Sequence, residues 1–64
     1  MYIYIFDYSF GRIYEIETDA STIIKNYNND FDNFLKNEYG LNIHNITYMT
    51  SNQKLEIEKI TSIN

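Results

Sequence analysis

The sequence predicts an α+β fold of order ββαββ, a four-stranded antiparallel sheet with one helix packed on one face. Three observations predict it. β-Branched and aromatic residues crowd positions 2 to 8, apolar residues then recur at helical spacing as far as Tyr39, and strand-like alternation returns between residues 44 and 60. The 64 residues form one small domain, 1–64, and a chain of this length buries only about 60% of its unfolded surface. It contains no cysteine, so neither a disulfide nor a Cys-based zinc site can staple it, and stability has to come from an efficient core or a second copy.

The first element is a hairpin over residues 2–18. Tyr2 to Tyr8 suit a pleated surface, residues 12 to 18 form the second strand, and Gly11 supplies the left-handed residue of the reversal. If Asp7 faces Arg12, then Ile5 falls opposite Tyr14, Ile3 opposite Ile16, Tyr4 opposite Glu15 and Tyr2 opposite Glu17. Ile3, Ile5, Tyr14 and Ile16 then make a core face, leaving Tyr2, Tyr4, Phe6, Glu15 and Glu17 on the other. A three-residue loop, Ser9-Phe10-Gly11, would exchange the two faces of the first strand. The first register is the better one because it separates aliphatic from charged residues. It also sets Arg12 to pair with Asp7 across the hairpin.

The helix follows, over residues 20–39. Ala20, Ile23, Ile24, Tyr27, Phe31, Phe34, Leu35 and Tyr39 form one amphipathic stripe. Asp19 is its expected N-cap and Gly40 its left-handed terminator. Asn28-Asn29-Asp30 interrupts this stripe with side chains that compete for backbone hydrogen bonds. Either one helix runs through with a defect there, or a second helix starts at residue 29 or 30.

The second hairpin is expected over residues 44–60. His44 to Thr50 and Lys54 to Ile60 are its strands, and Ser51-Asn52 is its two-residue turn. Pairing Tyr48 with Leu55 and Ile46 with Ile57 gives a core face, while Thr47, Met49, Lys54, Glu56 and Glu58 point the other way. Strand one, apolar on both faces, belongs in the middle of the sheet. Thr61 to Asn64 are expected to fray.

Nine acidic residues against five basic give a net charge of −4, which opposes direct binding to nucleic acid. No apolar run reaches the length of a signal peptide or membrane span, and a cytoplasmic location is expected. His44 is the only histidine. Without a positioned companion it reads as a strand-start residue rather than a base or metal ligand. Asp30-Phe31-Asp32 lacks the glycine and closing glutamate of a calcium loop. Glu15-Ile16-Glu17 and Glu56-Ile57-Glu58 lie on an open face, where burial cannot separate their pKa values for acid–base work. No cofactor, metal or catalytic residue is expected. An enzyme would require a second copy to complete a site around His44.

One helix covers one face of a sheet, so Tyr2, Tyr4, Phe6, Glu15, Glu17, Met49, Glu56 and Glu58 are expected to form an uncovered acidic and aromatic face. Aromatic side chains with polar tips favour protein interfaces. Carboxylates repeating every second residue, about 6.6 to 7 Å apart, can stand where phosphates of a nucleic-acid backbone would. The expected partner is a basic, nucleic-acid-binding protein, with a homodimer formed through the same face as the alternative. In size, acidity and lack of catalytic equipment the chain is similar to small inhibitors from phages and mobile elements, including anti-CRISPR and anti-restriction proteins. That likeness rests on size and charge, without a shared motif, and implies a non-enzymatic inhibitor.

Overall fold

Strand one, the most apolar segment, forms the middle of a three-stranded antiparallel sheet of order β2-β1-β3. The structure is a computed structural model and describes residues 1–61. Its elements are β1 (Tyr2–Asp7), β2 (Arg12–Glu17), α1 (Ala20–Tyr27), α2 (Phe31–Tyr39), a 3-10 turn (Ile43–Asn45) and β3 (Ile46–Ser51). The expected fraying of 62–64 lies outside the described residues.

The β1–β2 register is the expected one, with Asp7 opposite Arg12, Ile5 opposite Tyr14 and Ile3 opposite Ile16. The expected ion pair of Asp7 with Arg12 does not form within 4.0 Å; Asp7 sets the turn instead. Its buried carboxylate accepts the Ser9 N–H at 2.9 Å and, at 3.4 Å, that of Phe10. An Asx turn of this kind satisfies loop donors directly, and Gly11 completes the reversal at φ 61°. On its other edge β1 pairs with β3, placing Ile5 opposite Tyr48 and Tyr4 opposite Met49.

In place of one helix over 20–39 there are two, the second of the two alternatives for the Asn28-Asn29-Asp30 stretch. Asp19 caps α1, its carboxylate accepting the Ser21 N–H at 3.1 Å. Asn28 and Asn29 both take left-handed backbone, at φ 52° and 62°, and two such residues in succession cannot continue a right-handed helix. Asparagine tolerates this geometry because its short polar side chain bonds locally. Asp30 then recaps the chain, accepting the Asn33 N–H at 3.1 Å. Gly40 ends α2 in left-handed backbone at φ 65°.

Both helices lie on one face of the sheet. Ile3, Ile5 and Ile16 form the core with Ile23 of α1 and Phe34 and Leu35 of α2. Tyr27 and Tyr39 each set an edge against Phe34, an arrangement favoured by the ring quadrupole. Phe31 stacks on Tyr48, whose hydroxyl donates to Asp32 at 3.0 Å.

The expected fourth strand is absent among the described residues, so the second hairpin and the pairing of Tyr48 with Leu55 and Ile46 with Ile57 do not form. Two-residue hairpin turns require left-handed backbone, and neither Ser51 nor Asn52 adopts it. Ser51 bends the chain instead. Its hydroxyl donates to the Gln53 carbonyl at 2.7 Å and accepts the Gln53 N–H at 3.2 Å. The chain then crosses the sheet face opposite the helices as a strap without regular structure. His44, expected in β3, belongs to the preceding 3-10 turn and is exposed. Its N–H donates to the Asn42 side chain at 3.1 Å, so β3 starts at Ile46.

The molecule is elongated. The radius of gyration is 13.6 Å and the extents are 50 × 26 × 12 Å, whereas a compact chain of this length has a radius near 11 Å.

Candidate functional site

The face opposite the helices is built by alternation along the strands. Side chains of β1 at even positions meet there with those of β2 and β3 directly opposite, giving three rows: Tyr2 with Glu17 and Ser51, Tyr4 with Glu15 and Met49, and Phe6 with Ile13 and Thr47. The structure thus brings Tyr2, Tyr4, Phe6, Glu15, Glu17 and Met49 onto one surface. Glu56 and Glu58 differ. They are exposed on the strap rather than on a strand of the sheet.

Tyr4 departs most from expectation, being only 6% exposed. The strap covers it. Its hydroxyl donates to Glu15 Oε2 at 2.9 Å and accepts the Leu55 backbone N–H at 2.7 Å. Lys54 Nζ meets the other oxygen of the same carboxylate, Oε1, at 2.7 Å. Tyr4 is therefore a structural anchor, and the surface open to a partner contracts to its neighbours.

The electrostatics follow from these bonds. The Lys54 ammonium, and after it the Tyr4 hydroxyl, hold the Glu15 carboxyl below its ordinary value. The same carboxylate raises Lys54. Burial is the main cause that raises the Tyr4 phenol; the Leu55 N–H opposes it and Glu15 reinforces it.

Beside the anchor lies an apolar hollow of about 270 Å³, lined by Tyr4, Phe6, Ile13, Met49, Leu55, Glu56 and Ile57. Phe6 is 38% exposed and Met49 49%. Ile13 and Leu55 were not among the expected site residues. Ile13 was readable by parity, since it is two positions from Glu15 on the same strand; Leu55 was not, because its place depends on the Ser51 bend. Among the described residues Lys54–Glu15 is the ion pair within 4.0 Å, so the carboxylates of Glu17, Glu56 and Glu58 have no cation at that range. No group of three or more metal-ligating side chains occurs among the described residues.

A second hollow, of about 250 Å³, lies toward the helix side of the β2 edge, lined by Tyr14, Glu15, Ile16, Tyr39 and Leu41. Among the described residues no helix is long and apolar enough to cross a membrane.

Fold and surface together define a small α+β chain with three antiparallel strands, two helices and an acidic, apolar sheet face crossed by its own C-terminal strap. No protein-family model, curated protein or solved structure matches the chain.

Proposed function

We propose that the chain is a non-enzymatic acidic binding module, working in the cytoplasm, that occupies the surface of a basic, nucleic-acid-binding protein and inhibits it by charge mimicry, as its likeness to small phage and mobile-element inhibitors implies. The observation that carries this reading is the exposed apolar group Phe6, Ile13 and Met49, which shares one hollow with Glu56 on a face that also carries Glu17. An apolar centre within a charged rim is the anatomy of a protein interface, and carboxylates without internal cations are available to a basic partner.

The test is capture of basic proteins on the immobilised chain at low salt, elution with salt, and measurement of nucleic-acid binding by the captured protein with and without the chain. Displacement of nucleic acid supports the reading. Capture without displacement, or capture indifferent to salt, overturns the mimicry.

The strap favours a second reading. Ile57 and Ile60 are 82% and 85% exposed, and a second copy of the chain could cover them together with Phe6 and Met49 in a homodimer. Sedimentation velocity over a wide concentration range separates the two: a dimer that persists on dilution supports the seam, and a monomer throughout removes it.

A further inference from the structure

The outer edge of β2 is an unfinished sheet edge with a pocket on one side and carboxylates on the other. Thr18 N–H donates to the Met1 carbonyl at 2.9 Å, which makes Met1 and Thr18 a hydrogen-bonded pair. Along an antiparallel ladder such pairs alternate. The backbone groups of Arg12, Tyr14 and Ile16 therefore face β1, and those of Ile13, Glu15 and Glu17 point outward. β2 is an edge strand, and among the described residues no other backbone group bonds these outward N–H and C=O groups. An exposed edge of this kind is a template for an added strand.

The two sides of the edge differ in chemistry. Toward the helices, Tyr14, Ile16, Tyr39 and Leu41, with Glu15 at the rim, line the open hollow of about 250 Å³, which suits an aliphatic side chain. Toward the open face stand Glu15 and Glu17, two residues apart on one strand and so about 7 Å from each other. A strand laid along this edge would place alternate side chains in the hollow and beside the glutamates.

We propose that the β2 edge binds an extended peptide segment whose side chains alternate between aliphatic and basic, by strand addition. The aliphatic residue fills the hollow, and a basic residue next to it meets Glu17, Glu15 already holding Lys54. The chain's own strap does not meet this description. Its Leu55 and Ile57 alternate with Glu56 and Glu58, so seating the leucine and isoleucine toward the helices would bring glutamates beside Glu15 and Glu17, and like charges directly opposite on neighbouring strands repel. This inference rests on the reading of a basic protein partner and specifies the part of that partner the chain grips.

The experiment titrates the full chain with the synthetic peptide Lys-Val-Lys-Val-Lys-Val-Lys, following backbone amide resonances and peptide anisotropy, with Glu-Val-Glu-Val-Glu-Val-Glu as the control. The lysine peptide is expected to bind and to shift the amides of Ile13, Glu15 and Glu17, with no binding of the glutamate peptide. Ile13→Pro removes one outward donor at a position where an edge strand tolerates proline, and is expected to weaken binding about fivefold. Glu17→Lys, an exposed substitution that leaves the fold unchanged, is expected to weaken it about tenfold at low salt. Absence of binding, shifts centred on Phe6 and Met49, or affinity indifferent to Glu17→Lys overturns the proposal. If the lysine peptide does not bind while a basic protein still binds in a salt-sensitive way that Phe6→Ala weakens, the edge proposal fails and the face reading stands. Loss of basic-protein binding altogether is instead a failure of the face reading.

Discussion

The Tyr4 hydroxyl and the Leu55 backbone N–H meet at 2.7 Å, joining the central strand to a segment more than fifty residues further along the chain. With Glu15 accepting hydrogen bonds from both the Tyr4 hydroxyl and the Lys54 ammonium, this contact decides how much of the open face a partner can reach.

Removing the hydroxyl tests the anchor. Tyr4→Phe keeps the ring in place and deletes both of its hydrogen bonds. Faster hydrogen exchange at the Leu55 amide is expected, with little change at Ile3 and Ile5. Unchanged exchange at Leu55 would mean that the strap is held by other contacts.

The same cluster makes strap attachment depend on pH at both ends. Glu15 is depressed below its ordinary 4.5, chiefly by Lys54, so its contribution is complete above that value and lost as the pH falls through the lower folded value. Lys54 is raised above its ordinary 10.5 by Glu15; its contribution is complete below 10.5 and lost as the pH rises through the folded value. Leu55 amide exchange is expected to be slow, relative to its intrinsic rate, between these limits and faster outside them. Glu15→Gln should flatten the acid limb, and an identical acid limb in that variant would show another group to be responsible.

Adjacent residues of β1 face opposite sides, which predicts a contrast in stability. Ile5→Ala truncates a fully buried side chain and is expected to cost about 2 to 5 kcal/mol in urea denaturation. Phe6→Ala removes a partly exposed ring and is expected to cost about 1 kcal/mol or less. Equal losses would contradict the register.

The helix break offers a backbone test. Asn28→Ala and Asn29→Ala each force a side chain poorly suited to positive φ into left-handed geometry, at about 1 kcal/mol or more by chemical denaturation. Glycine at either position is expected to be neutral or stabilising. A stabilising alanine would show that the break is not imposed by these residues.

Much of this architecture was legible in the sequence because it rests on local chemistry. Segregation of Ile3, Ile5 and Ile16 from Glu15 and Glu17 selected the hairpin register, and the double apolar face of β1 marked it as central. Asp19 and Gly40 announced a helix start and stop. The Asn28-Asn29-Asp30 break was visible as a conflict, though deciding it required the backbone angles. The strap was hidden for a different reason: residues 54 to 60 alternate as a strand does, but a strand also needs a turn that delivers it to an edge, and Ser51 bends toward Gln53 instead. The burial of Tyr4 depends on that bend, so the candidate face was legible by parity and its accessible portion was not.

The sheet order also governs the sequence of events in folding. β1 meets β2 across a tight loop, whereas its other edge waits for β3, beyond both helices. The intervening chain between Asp7 and Ile46 is roughly ten times longer than the loop between Asp7 and Arg12, which for a flexible chain adds about 2 kcal/mol of closure entropy. Loop closure thus favours the hairpin forming first, with the central strand open on one side until Ile46–Ser51 closes onto it.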